Sequence, residues 1–467
     1  MALPIDPTAT GFLLAESRTM PMHVGSLQLY RKPEDAGRTY ARDLYEQMRS
    51  DSTDLAPLFL RRPHRSLATA GQYTWVPDEQ FDIEHHLRHS ALPKPGRIRE
   101  LLDLCSRLHG TRLAHERPLW EAHVIEGLRD GRVAIYTKMH HALVDGVSAM
   151  RLLQRVLSDD PDERDMLPPW AARPKRAKPA DESADRNLVE VTTNALRTAI
   201  GISAEAAGMP GAFIKTVRRA ARNEAAPIAF NPPRTILNQN ITGARRFAAQ
   251  DWPIERLKAI GRASDTTLND VVLAMSGGAI RRYLLELNEL PDEPLVAMVP
   301  IGLKAKESHL PSADGGNAVG MVIAQLGTHL EDPAARLTSI SDSMRSGKEA
   351  LATMTPTQIV AMSAIGMSPA ILLPILGARG SLRPPFNLII SNVPGPKNTQ
   401  YFNGARLDGM YPLSIPTHGV ALNITCVSYA DDLCFGLTGC RRTVPHLQRL
   451  LTYLDGELDA LEKAAGV

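Results

Sequence analysis

At 467 residues the chain is longer than one ordinary hydrophobic core accommodates, which makes two domains the expectation and excludes a small module. With 43% apolar and 22% charged residues its composition is globular, and a formal net charge of +2 gives no overall attraction to nucleic acid. The cysteines Cys105, Cys426, Cys434 and Cys440 form no CxxC pair and no metal-ligand spacing, so they read as small buried apolar residues in a reducing, cytoplasmic setting.

The start, Met1-Ala2-Leu3-Pro4-Ile5-Asp6, has neither a basic nor an apolar run of the kind that marks a signal peptide. Gly25 to Arg31 then reads as a strand and Ala36 to Met48 as a helix, and Arg97 to His115 carries leucines at helical spacing in Leu101, Leu104, Leu108 and Leu113. Strands are expected at Trp120 to Ile125 and Val133 to Met139, joined by the turn Leu128-Arg129-Asp130-Gly131. After Gly146 the pattern turns helical, with Met150, Leu153 and Leu157 on one side. The pair His140-His141 therefore falls in a strand-to-helix loop.

From Asp159 to Asn187 the chain is rich in Pro, Lys, Arg, Asp and Ala, a composition that buries no core and reads as a linker. A helix over about Leu188 to Arg222 ends in Lys215, Arg218, Arg219 and Arg222, most simply a solvated face and alternatively a contact for anionic groups. The expected division is residues 1–160, a linker and connecting helix at 161–235, and a second domain at 236–467. In that second part helices are expected at Leu268 to Leu287, Ala334 to Ala352 and Val444 to Ala464. Strands are expected at Leu295 to Ile301, Ala318 to Leu326, Asn387 to Asn392, Val420 to Ser428 and Leu433 to Leu437, so both halves read as α/β layers. Ile359 to Gly377 is uncharged and about as long as a membrane span, but Pro369 and Pro374 interrupt it; two short apolar helices result, either a buried hairpin or a surface that dips into a bilayer.

Chemistry concentrates in His140-His141-Ala142-Leu143-Val144-Asp145-Gly146. A neutral imidazole with a pKa near 6.5 suits removal of a hydroxyl proton at cellular pH, which makes His141 the candidate base. Asp145, four residues on and followed by Gly146, fixes the loop and the imidazole, either directly or through an arginine. The competing explanation is a loop cap without chemistry. His85-His86 serves as a control, because the positions four residues on are His89 and Ser90 and a surface or structural role is favoured there. No GxSxG elbow lies near the histidines and no cysteine has a basic partner close in sequence, which assigns the nucleophile to a substrate hydroxyl.

Five elements together carry a resemblance: Pro21-Met22-His23-Val24-Gly25, Pro118-Leu119-Trp120, the histidine motif, Asn269-Asp270-Val271-Val272-Leu273-Ala274 and Ser391-Asn392-Val393-Pro394-Gly395-Pro396. Their order and spacing resemble the bacterial wax ester synthase/acyl-CoA:diacylglycerol acyltransferase family from about residue 6 to residue 460. The HHxxxDG element alone is shared with chloramphenicol and carnitine acyltransferases and with condensation domains. The resemblance implies a two-domain fold like the chloramphenicol acetyltransferase superfamily, with the histidine in a tunnel between domains. It implies His140, His141, Asp145 and Gly146 as the catalytic element, with His141 as base. Asn269 matches a position able to donate to an oxyanion or the acceptor, and Asp270 one that caps its helix; Ser391 and Asn392 match a loop near the domain interface. One departure is Ile301-Gly302-Leu303-Lys304, where relatives commonly carry a Val-Ser-Leu-Arg-like run.

The implied reaction is direct transfer of a long-chain acyl group from acyl-CoA, a co-substrate, to diacylglycerol, with no bound cofactor and no metal. A long-chain alcohol, giving a wax ester, is the alternative acceptor. The implied setting is a cytoplasmic protein at a membrane or lipid-droplet surface. A carrier-linked condensation enzyme and a non-catalytic lipid-binding relative are the competing classes; no carrier-like Gly-x-Asp-Ser segment supports the first, and the intact His140, His141 and Asp145 speak against the second.

Overall fold

The computed structural model describes residues 3–69, 71–172, 232–302, 319–352 and 385–467. The expected helix at 188–222 and the apolar stretch 359–377 lie outside the described residues. In the first part the strands are β1 (Leu3–Pro4), β2 (His23–Arg31), β3 (Arg61–Arg65), β4 (Tyr73–Pro77), β5 (Leu87–Ala91), β6 (Trp120–Glu126) and β7 (Val133–His140). The helices there are α1 (Pro7–Ala15), α2 (Tyr40–Ser50), α3 (Ile83–His86), α4 (Ile98–Gly110) and α5 (Gly146–Gln154). The second part holds β8 (Arg245–Pro253), β9 (Val296–Gly302), β10 (Val319–Gln325), β11 (Leu388–Val393), β12 (Tyr401–Phe402), β13 (Ala405–Leu413), β14 (Leu422–Tyr429) and β15 (Asp432–Cys440). Its helices are α6 (Ile254–Ala263), α7 (Leu268–Glu286), α8 (Pro333–Ala352) and α9 (Arg449–Ala465).

Two six-stranded sheets organise these elements, ordered β12-β13-β2-β7-β6-β5 and β10-β9-β11-β14-β15-β8, beside a small sheet β1-β4-β3. Each large sheet has its own apolar core. Leu27, Trp120, Val124, Ile135 and Tyr136 belong to the first, and the second joins α6 to α9 to the strands through Leu257, Val272, Leu337, Ile424 and Leu454. β7 is buried at every position and sits between β2 and β6, and β14 is buried on both faces but for one residue, so the polar side chains that interrupt their apolar sequences must find partners inside the fold. α7 carries apolar residues round its whole circumference because it is packed between other elements of the second core.

The strand expectations agree with β2, β6, β7, β9, β10, β11, β14 and β15 to within two or three residues at each end. Helix ends moved more. α2 starts only at Tyr40, after a turn in which Ala36 N donates to Pro33 O, and α9 starts at Arg449, after the turn around Pro445. α4 stops at Gly110. β13, which the sequence did not mark, pairs antiparallel with β2 although it comes from the second half of the chain. A bulge between Leu407 and Gly409 breaks its alternation, and Gly409 and Pro412 both disguise a strand. It also touches the other sheet: a Cβ on Gly436 of β15 would overlap the Pro412 carbonyl.

The reading of 159–187 as a segment that buries nothing is corrected for its described part. Trp170 is fully buried, stacks on Trp120 at 4.9 Å between ring centroids, and donates its Nε1–H to Ser52 Oγ at 2.7 Å. A proline-rich segment needs no regular structure to insert one large aromatic ring, and the backbone N–H of Ala56 bonds the Trp170 carbonyl. The four cysteines are free and buried, as expected.

In the second core the buried Arg336 donates from Nη2 to Glu457 Oε2 at 2.7 Å, and Gly278 of α7 leaves room for that carboxylate, since a Cβ there would overlap it. Glu457→Ala strands the guanidinium without its counter-charge, and a loss of about 3 kcal/mol is expected. Thermal or urea unfolding checks this; a midpoint unchanged from that of the parent protein contradicts it.

Candidate active site

β7 ends on His140, and two backbone hydrogen bonds hold the chain as it leaves the sheet. His140 N–H donates to Leu119 O at 3.0 Å, just ahead of β6, and His141 N–H donates to Met22 O at 2.8 Å, just ahead of β2. Leu143 and Val144 then return N–H bonds to His140 O at 2.9 and 3.3 Å, which closes a tight turn. Asp145 ends that turn as the N-cap of α5: its Oδ1 accepts Ser148 N–H at 2.7 Å and its Oδ2 accepts the Ser148 hydroxyl at 3.1 Å. The spacing in HHxxxDG is thus the length of one turn between a strand end and a helix cap. A Cβ on Gly146 would meet nothing within 4 Å, so the glycine leaves open space beside the loop.

The adjacent histidines have different surroundings. His141 is partly accessible, and its ring stacks on Phe12 of α1, centroids 4.1 Å apart and planes 24° apart. Burial lowers its pKa, partly offset by the negative charge of Asp145, so the ring is a neutral imidazole near pH 7. His140 has no exposed surface, and burial pulls its pKa down to about 3 against the opposing pull of Glu16. Its Nδ1 accepts Ala142 N–H at 3.0 Å, which puts the proton on Nε2.

That Nε2–H faces Glu16 Oε1 at 3.7 Å. Glu16 closes the end of α1 and its side chain is 1% exposed. Its Oε1 accepts Met22 N–H at 3.1 Å, its Oε2 accepts from His115 Nε2 at 2.6 Å, and Arg112 Nε lies 3.5 Å from Oε2. Burial alone would raise its pKa, but the bond from His115, the neighbouring histidine charges and the Met22 amide outweigh it, and the carboxyl sits below its usual range. Glu16, His115 and His140 bring three donor atoms within 4.8 Å of one another, a metal-like spacing. The Ala142 bond argues against that use, because His140 Nε2 carries the proton and offers no lone pair unless the bond is broken.

Of the other expected site residues, Asn269 and Asp270 lie at the start of α7. Asp270 forms a capping box with Thr267: its Oδ2 accepts Thr267 N–H at 3.0 Å, and its own N–H donates to Thr267 Oγ1 at 3.3 Å. Its Oδ1 is buried without a partner among the described residues. Ser391 and Asn392 are half-buried residues of β11 on opposite faces, paired with Thr425 and Cys426 of β14. Among the described residues no hydrogen bond links these four to the histidine loop. Trp120 packs as expected, donating its Nε1–H to Phe59 O at 3.0 Å. The control histidine His86 is buried between Phe81 and Trp120, a structural role. Sequence reading missed Phe12, Glu16, Arg112 and His115; the available signal was that Glu16 precedes Pro21-Met22-His23 and His115 precedes Pro118-Leu119-Trp120.

Comparison with known proteins places this geometry. Residues 5–272 match the wax ester synthase/diacylglycerol acyltransferase catalytic domain and residues 315–462 match the C-terminal domain of the same family. A probable diacylglycerol O-acyltransferase of Mycobacterium tuberculosis is 45% identical over 464 residues, 99% of each chain. The structure of a wax ester synthase/diacylglycerol acyltransferase from Marinobacter aquaeolei VT8 superposes with a TM-score of 0.79 at 41% identity, over 100% of both chains. The first condensation domain of the calcium-dependent antibiotic synthetase, at 17% identity and a TM-score of 0.57 over 100% of this chain and 97% of that one, shares the fold alone.

The electrostatics give a titration to check. The ring of His141 should titrate below 6.5, the value for an unperturbed histidine. Asp145 stabilises the imidazolium, so Asp145→Asn should move the midpoint further down; NMR titration of the ring protons reads both, and an upward move contradicts the assignment.

Proposed function

Because the chain belongs to the wax ester synthase/diacylglycerol acyltransferase family, it is an acyl-CoA-dependent O-acyltransferase that makes triacylglycerol from diacylglycerol, and we propose that it does so by direct transfer with His141 as general base. The observation that carries the base assignment is that His141 is neutral, partly accessible and held by its own backbone at the end of β7, while its neighbour His140 is enclosed.

In this reading His141 removes the proton of the acceptor hydroxyl as the oxygen attacks the thioester carbonyl. The tetrahedral intermediate collapses, the C–S bond breaks, and the imidazolium returns the proton to the leaving thiolate. The products are the ester and free coenzyme A, with no acyl-enzyme. The cap that Asp145 makes on α5 fixes the turn carrying the base. Gly146 keeps the approach open. Asn269 is assigned as a donor to the oxyanion or acceptor, and Ser391 and Asn392 as substrate-binding or oxyanion residues near the domain interface; Asp270 serves as the cap of α7. The division into 1–160, 161–235 and 236–467 places the base on the first domain and these residues on the second, flanking a tunnel. Pocket shape decides between diacylglycerol and a long-chain alcohol, and the Marinobacter relative, named for both activities, supports keeping the alcohol as the second reading.

Both substrates reside in or partition to lipid, which supports work at a membrane or droplet surface. Among the described residues no helix is long and apolar enough to cross a membrane, and a peripheral contact satisfies the need.

Release of coenzyme A thiol from palmitoyl-CoA, with diacylglycerol and hexadecanol offered separately, tests the reading. Release that depends on diacylglycerol is expected, and release with hexadecanol alone makes the chain a wax ester synthase. In a folded His141→Ala variant the rate should fall about 10³-fold, within the usual range for loss of a general base. Near-normal turnover in that variant removes His141 from the role.

A further inference from the structure

We propose that Glu16 is a positioning residue for this reaction, holding the backbone of His141 through Met22; the inference rests on the base assignment above. Glu16 Oε1 accepts Met22 N–H at 3.1 Å, and the carbonyl of the same Met22 accepts His141 N–H at 2.8 Å. Two hydrogen bonds thus run from a buried carboxylate to the main chain of the base. The same Oε1 faces the Nε2–H of His140 at 3.7 Å, beyond hydrogen-bond distance, so the bond to Met22 is the one that ties the carboxylate to the turn.

The Glu16 side chain is almost fully enclosed, paired with the half-buried His115 and the exposed Arg112, and a buried charge is retained only where its partners are well placed. Its second oxygen is clamped by His115 at 2.6 Å with Arg112 at 3.5 Å, which fixes the plane of the carboxylate and leaves Oε1 aimed at Met22 and His140. Glu16 also closes α1, its N–H donating to Phe12 O at 3.1 Å, and Phe12 is the ring on which His141 stacks. One residue therefore sets the distance between the stacking surface below the imidazole and the backbone bond behind it. The turn from Glu16 back to Met22 is short and stiff: Ser17 and Met20 exchange both backbone hydrogen bonds, at 3.2 and 3.1 Å.

The needed quantity is reach rather than charge, and two substitutions separate them. Glu16→Gln keeps the length and an oxygen for Met22, while Glu16→Asp keeps the charge but retracts it by one methylene. A displacement of about 1 Å at a reacting group costs on the order of 10²-fold. Glu16→Asp should therefore lose about 10²-fold in kcat with KM for palmitoyl-CoA within about threefold, and Glu16→Gln should lose less than about fivefold. Equal unfolding midpoints for the two variants ensure that folding is not what is read.

The inference is overturned if Glu16→Asp is as active as the parent protein, if Glu16→Gln is the worse of the two, or if the loss lies in KM alone. His141→Ala is run in the same assay. Should His141→Ala stay active, the base assignment falls; should it be inactive while Glu16→Asp is normal, only the positioning role falls.

Discussion

The site depends on how the chain leaves the middle of a sheet. β7 is flanked by β2 and β6, and the residues ahead of those two strands, Met22 and Leu119, accept the backbone N–H groups of His141 and His140. Backbone geometry thereby fixes His141 before any side chain acts on it. The imidazole is left with one face on Phe12, in a residue that is only partly buried, and that setting is the ground for proposing it as the base. Burial supplies the rest: the charged form of each histidine is disfavoured, so both rings stay neutral near pH 7.

Much of this arrangement was legible in the sequence, and the parts that were not share a cause. Asp145, read as holding the imidazole directly or through an arginine, instead caps α5 through Ser148, whereas HHxxxDG announced a strand, a loop and a helix because the strand at 133–139 and the helical spacing after Gly146 are local events. Asp270 as a cap was readable for the same reason. β13 was not, since its pairing with β2 is non-local and its bulge and Pro412 erase the alternation. Trp170 sat in a composition that signals a linker, and only the tertiary fold provides Trp120 and Ser52 to receive it. Glu16 is the instructive case. In sequence it is one acid at the end of a short helix, and its partners His115 and His140 are about a hundred residues away.

The two halves of the chain are interlocked through the first sheet. β13 enters beside β2, and its Pro412 passes so close to β15 that only a glycine fits at position 436. From α4, His109 Nε2 reaches Ser414 O at 3.0 Å, just after β13, and Ser106 Oγ accepts Phe247 N–H of β8 at 2.9 Å. α4 is thus held by both halves. The chain leaving it carries Arg112 and His115 to Glu16, so the clamp on that carboxylate is set by the same packing that joins the halves.

β7 also carries a polar row along one face, at Tyr136, Lys138 and His140, each two residues from the next. Two of the three are met by the C-terminal end of α4. Tyr136 OH donates to His109 Nδ1 at 3.0 Å; Lys138 Nζ donates to Leu108 O and Thr111 O at 3.0 and 2.8 Å, at the carbonyl end of α4, and meets Glu121 at 3.2 Å; His140 faces Glu16. Burial alone would raise the pKa of Glu121, but His123 and Lys138 draw it down to about 2. A slip of one residue in β7 would turn this row to the opposite face and strand every one of these groups. The row therefore locks the register of β7 far more tightly than apolar packing would, and the register decides which residue emerges opposite Met22. The buried polar groups along β7 are in this sense what makes His141 the residue that emerges opposite Met22.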